Sequence, residues 1–162
     1  MTHMPLKLET LPTRRDEAWK WTDVRGRVSE EAAGLSVAGL PKFTLPEGVT
    51  VTEVETDDLD TDSAMAKLAR NFGGKVWHVD VPAGLEPSEP LIIEGLNRGH
   101  IRIRIDIAKS ANLKVIEYHA GDAGGFVNID MTVTLKADAK FCLLYTSPSP
   151  RDATLSRMPS SA

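Results

Sequence analysis

Between residues 76 and 145 apolar and polar side chains alternate in the manner of β-strands. Ile101-Arg102-Ile103-Arg104-Ile105-Asp106-Ile107 alternates without a fault, and Val127-Asn128-Ile129-Asp130-Met131-Thr132-Val133-Thr134-Leu135 does the same. A period of two turns one set of side chains inward and the other toward solvent. Upstream, Val49, Val51 and Val54 predict a short strand. Leu40-Pro41 and Leu45-Pro46-Glu47-Gly48 are turn chemistry. Ser63–Arg70 predicts a helix with acidic residues near its positive N-terminal end and Gly73-Gly74 as its stop.

The strand region carries an internal repeat. Val79-Asp80-Val81-Pro82-Ala83-Gly84-Leu85 aligns with Ile107-Ala108-Lys109-Ser110-Ala111-Asn112-Leu113, and again with Leu135-Lys136-Ala137-Asp138-Ala139-Lys140-Phe141. Trp77, Ile105 and Val133 stand two residues upstream of the three copies, in the inward phase. A constant interval combined with strand periodicity predicts stacked coils of chain, a β-solenoid. The simpler alternative is an antiparallel sandwich.

The flanks read differently. Residues 1–27 hold six basic and four acidic side chains and predict a short helical entry segment. Thr13 and Asp16 have the spacing of a capping box. Trp19 and Trp21 cannot share a narrow helical stripe, so one is expected to be buried while the other covers a neighbour. Seven acidic and no basic residues lie between Glu47 and Asp62, a run that reads as a solvated face leading into the helix. Eight of the seventeen residues from Thr146 to Ala162 are Ser or Pro, and Ser147-Pro148-Ser149-Pro150-Arg151 cannot continue a ladder because proline lacks the donor. The chain therefore divides into an N-terminal helical and mixed region (1–75), a β core (76–141) and a tail (142–162).

Bulk composition narrows the function classes. A net charge of −4 over 162 residues argues against nucleic acid or an anionic membrane as the main partner. No apolar run approaches the ~20 residues of a membrane span. The start lacks a signal peptide's apolar stretch, so the expected compartment is the cytoplasm. Cys142 is the single cysteine, which excludes a disulfide or a cysteine-built cluster site within the chain.

Candidate chemistry is sparse. His78, His100 and His119 are widely spaced and read as ordinary histidines. His119-Ala120-Gly121-Asp122-Ala123-Gly124-Gly125 lacks the Lys-Ser/Thr of a phosphate loop. Arg14, Arg15, Asp16 and Glu17 read as a capped, salt-bridged helix start. Asp106, Glu117 and Asp130 are the carboxylates that could pair in a polysaccharide-cleaving enzyme. Asp106 and Asp130 hold outward phases where solvated charge is expected. No catalytic, cofactor or metal residue is assigned, and the chain is expected not to be an enzyme. The alternatives are a solenoid enzyme, such as a polysaccharide lyase or acyltransferase, and a generic β-rich interaction domain.

Two segments resemble a known family. Leu11-Pro12-Thr13-Arg14-Arg15-Asp16-Glu17-Ala18-Trp19-Lys20-Trp21-Thr22-Asp23 is similar to the N-terminal signature of the SufB/SufD family of iron–sulfur cluster assembly proteins, on its SufD side, with Trp21 where Tyr is commoner. Val79 to Phe141, with Val81-Pro82-Ala83-Gly84, Glu89-Pro90-Leu91 and Val115-Ile116-Glu117-Tyr118, resembles the opening of that family's core. The resemblance implies a helical entry followed by the first turns of a right-handed parallel β-helix. It also implies a scaffold role beside a SufB-like partner and a SufC-like ATPase, which would carry the clusters and the ATP. The family's later turns and terminal helical domain have no counterpart here, so the chain is expected to be a piece without cofactor, not functional alone. Cys142–Asp152 and Ser156–Ala162 resemble translated sequencing adapter, which places the expected end of native sequence near Phe141.

Overall fold

The computed structural model describes residues 11–21, 24, 39–55, 63–96, 99–119 and 126–146. Among the described residues the following elements run in chain order: β1 (Lys42–Thr44), β2 (Thr50–Val54), the helix α1 (Ala64–Phe72), β3 (Val76–Val81), β4 (Leu91–Glu94), β5 (Gly99–Ile107), β6 (Asn112–Tyr118), β7 (Val127–Leu135) and β8 (Lys140–Thr146). They form two four-stranded sheets, ordered β1-β4-β6-β8 and β2-β3-β5-β7.

The expected right-handed parallel β-helix is not what the chain forms. Both sheets are mixed, and together with α1 they give an α/β-type arrangement. β1 pairs antiparallel with β4 and β2 with β3, whereas the later pairs are parallel. The reversal originates in a segment the sequence reads as turns and one strand. Val49 N–H donates to Pro46 O at 3.2 Å, and Gly48 takes a φ of +82°. This tight turn leaves strands of three and five residues, which run against their neighbours.

Alternation produces the core. Ile101, Ile103, Ile105 and Ile107 of β5 point between the sheets and are no more than 2% exposed. They meet Val79 and Val81 of β3, Leu91 and Ile93 of β4, and Leu113 and Val115 of β6. Burying each such side chain is worth roughly 1.5–3 kcal/mol, so this layer dominates the fold's stability. A second cluster joins Leu11, Val24, Leu68 and Phe72, with Trp19 and Met65 packed against it. α1 supplies Leu68 and Phe72 to it. Its N-terminus is capped by the Ser63 hydroxyl, which accepts from Ala66 N–H, and Gly73 ends it.

The repeat is real in pairing but unequal in length. Val81, not Val79, stands beside Ile107, an interval of 26 residues. Ile107 then stands beside Leu135, an interval of 28. Both intervals are even, so the two-residue correction leaves every side chain on its predicted face. The turns are equivalent: Gly84, Ser110 and Asp138 all adopt positive φ, at 71°, 57° and 59°. Val81 O accepts from Ala108 N–H and Ile107 O from Lys136 N–H, both at 3.0 Å. β8 continues the parallel pairing beyond Phe141, with Cys142–Thr146 beside Lys114–Tyr118. Residues 147–162 lie outside the described residues.

Only part of the expected N-terminal helical segment, residues 11–21 and 24 of 1–27, lies within the described residues, and Val24 there is helical. Glu17–Trp19 forms a 3-10 turn. Asp16 Oδ2 accepts from Thr13 N–H at 2.6 Å, as a capping box requires, but the Thr13 hydroxyl accepts from Arg15 N–H instead of closing a longer helix. Trp19 joins the second cluster, while Trp21 is 90% exposed.

Candidate functional site

The outer face of the β2-β3-β5-β7 sheet gathers most of the polar chemistry, and α1 divides it in two. Toward the start of β5 and β7, α1 covers His100, Arg102 and Asn128, which are buried. Beyond the helix the face is open. Register places Thr52, His78, Arg104 and Thr132 side by side, and Thr50, Asp80, Asp106 and Thr134 in the row below. Alternation dictates this exposure, because these are the polar phases of their strands.

Asp106 anchors the open half. Its Oδ2 accepts from Arg104 Nε at 3.0 Å and lies 2.8 Å from His78 Nε2. Burial alone would raise its carboxyl, but hydrogen bonds from Thr134, His78 and Arg104, with the Arg104 charge, hold it below the usual carboxylate range. A cavity of about 260 Å³ opens beside it, lined among others by Asp80, Arg104, Thr134 and Lys136. Two carboxylates and two cations around one hollow make a bipolar surface, able both to donate and to accept hydrogen bonds.

A second polar pair closes the far end of β6. Glu117 is 6% exposed, and its Oε2 lies 3.0 Å from His119 Nε2. Tyr145 meets the His119 ring edge-on at 6.3 Å.

The three histidines read from the sequence therefore go to three places, His78 to Asp106, His100 beneath α1 and His119 to Glu117. The candidate carboxylates do not converge. Asp130 stands beside Arg102 and Asp106 beside Thr134, four residues apart along the sheet or ~13 Å. Glu117 belongs to the other sheet. Cys142 is exposed on β8. Residues 120–125 of the glycine-rich segment lie outside the described residues. Among the described residues, no three His, Cys, Asp or Glu side chains come together as metal ligands. No helix there is long and apolar enough to cross a membrane. Asn128, Thr134 and Lys136 escaped the sequence reading. The signal for Asn128 was the repeat, since His100 and Asn128 stand one 28-residue interval apart and side by side.

Two mixed four-stranded sheets, one with a polar outer face partly covered by α1, define a β-rich protein. The chain is 24% identical over 180 aligned residues to the iron–sulfur cluster assembly protein SufD of Escherichia coli (strain K12), an alignment covering 85% of this chain. It spans 43% of that relative's length. No family model matches the chain, and no solved structure matches it. The similarity is distant and points to the SufB/SufD family.

Proposed function

We propose that this chain serves iron–sulfur cluster assembly as a segment of a SufD-like scaffold subunit, contributing surface and no catalysis of its own. The observation that carries this reading is the similarity to SufD along 85% of the chain. The run from Leu11 to Asp23 supports it, because its mixed residue types fit that family's N-terminal signature. The polar outer face of the second sheet is consistent with a role in contact. The chain acts in the cytoplasm beside a SufB-like scaffold and a SufC-like ATPase, with cluster and nucleotide held by those partners. It has no resident cofactor.

The test is an anaerobic co-elution experiment. The tagged chain is mixed with purified SufB-like and SufC-like proteins and passed over a sizing column, with iron, sulfide and nucleotide turnover measured in every fraction. The reading expects the chain to travel with the SufB-like scaffold, and on its own to carry no stoichiometric iron and hydrolyse no nucleotide. Elution apart from both partners overturns it, as does iron or turnover that follows the isolated chain.

A further inference from the structure

Helix α1 lies across β5 and β7, and under it is a histidine with no access to water. His100 is 0% exposed. Its ring packs against Phe72 of α1 with centroids 5.4 Å apart, and meets Phe126 edge-on at 5.5 Å.

Its hydrogen bonds fix its proton. The Asn128 Nδ2 donates to Met65 O on α1 at 2.7 Å. A carbonyl only accepts, so this contact sets the orientation of the amide. The same Nδ2 lies 3.1 Å from His100 Nδ1, which must therefore accept. The proton of the neutral ring sits on Nε2, which has no hydrogen-bond partner among the described residues. A second proton would have to enter at Nδ1 and confront the Asn128 N–H, donor against donor. It would also place a cation in a cage walled by two phenylalanines.

The elements packed around the ring also carry charged side chains. α1 contributes Arg70, β5 contributes Arg102 two residues along the same face, and β7 contributes Asp130. Guanidinium and carboxylate groups ordinarily keep their charge between about pH 5 and 7, so His100 is the member of this set that can change in that window.

We propose that the His100–Asn128–Met65 contact is a proton-sensitive clasp. The neutral imidazole holds α1 on the sheet, and protonation releases α1 and uncovers the Val76, His100, Arg102 and Asn128 face. The device does not depend on the role in cluster assembly. Burial lowers the His100 pKa below the ordinary histidine value, which fits the same direction. When α1 lifts, the ring is hydrated and titrates near 6.5. Below that pH the open form takes up a proton that the closed form resists. The opening equilibrium then rises by up to about tenfold per pH unit, until the closed form titrates too.

Hydrogen exchange on the intact chain tests this, following peptides that cover α1 and β6 between about pH 7 and pH 5 with intrinsic exchange rates corrected. α1 amides should open several-fold to tenfold more per unit fall below about pH 6.5, while β6 stays protected. In His100→Gln, whose side-chain carbonyl can accept from Asn128 but takes no proton, the α1 profile should be flat. A flat wild-type profile, or equal slopes in wild type and variant, overturns the proposal. If His100→Gln does not fold, ring nitrogen shifts of His100 in the wild type decide. A neutral Nε2–H form persisting below about pH 6 supports the clasp, and an imidazolium at about pH 6.5 in the folded chain defeats it.

Discussion

Gly84, Ser110 and Asp138 hold the same corner in successive turns, and all three lie in the left-handed region of φ. This makes one pair of substitutions informative. A Cβ added at Gly84 would meet nothing within 4 Å among the described residues, so Gly84→Ala changes backbone preference without a clash there. The left-handed conformation costs an L-residue about 1–2 kcal/mol. Removing glycine also restricts the unfolded chain, which returns about 0.4–1 kcal/mol. The net loss expected for Gly84→Ala is about 0.5–1 kcal/mol. Ser110→Gly runs the same balance backwards and should gain a similar amount. Its corner hydrogen bond survives, because Ser110 donates to Ala137 O through the backbone N–H, at 2.9 Å. Urea unfolding followed by circular dichroism measures both variants. At this chain length the melting shifts should be roughly 2–4 °C per kcal/mol, in opposite directions and with the m-value unchanged. Shifts of the same sign would refute the equivalence of the corners. So would a stable Gly84→Ala protein paired with an unstable Ser110→Gly protein.

Three further outcomes follow from the packing and the charges. Ile105→Ala removes a fully buried side chain flanked by Val79 and Val133, and should cost about 2–5 kcal/mol in the urea midpoint, against no more than about 1 kcal/mol for the half-buried Ile116→Val. Ser63→Ala deletes the α1 cap and should cost about 1 kcal/mol, with the loss showing first as faster exchange in the first turn of α1. Asp106 has its folded pKa held below 3.8, so its contribution is complete above that value and lost as pH falls through the folded pKa. Asp106→Asn should therefore cost about 1–2 kcal/mol at neutral pH and weaken the loss of stability between about pH 4 and pH 2, as read by urea midpoints at both ends.

Much of the strand content was legible because alternation is a local signal. The faultless patterns of residues 101–107 and 127–135 are most of β5 and all of β7; the inward phase of β5 lies in the core, and that of β7 packs half-buried against it. The helix from Ser63 was equally legible, since a capping hydroxyl and a terminal glycine are both written in sequence. What alternation does not encode is direction. Nothing in Lys42–Thr44 or Thr50–Val54 tells which way those strands will run, and their antiparallel pairing turns the expected parallel coil into two mixed sheets. β1 itself was hidden between two prolines, because three residues are too few to show a period.

The site was less legible than the fold, and the reason lies in the unequal repeat. With an interval of 28 throughout, His78 would stand directly beside Asp106. The first interval is 26, so His78 stands beside Arg104 and reaches Asp106 diagonally. That offset lets one carboxylate oxygen take both the His78 and the Arg104 contacts. The second interval is a true 28, and there His100 stands directly beside Asn128. Strand phase tolerates any even change of interval, so the core survives either spacing. Outward contacts do not, because a slip of two residues exchanges one neighbour for another. Divergence that preserves the phase while altering intervals would keep such a fold and remake its outer face. A relative 24% identical therefore informs the strand pattern more securely than it informs the pairing of His78, Arg104 and Asp106.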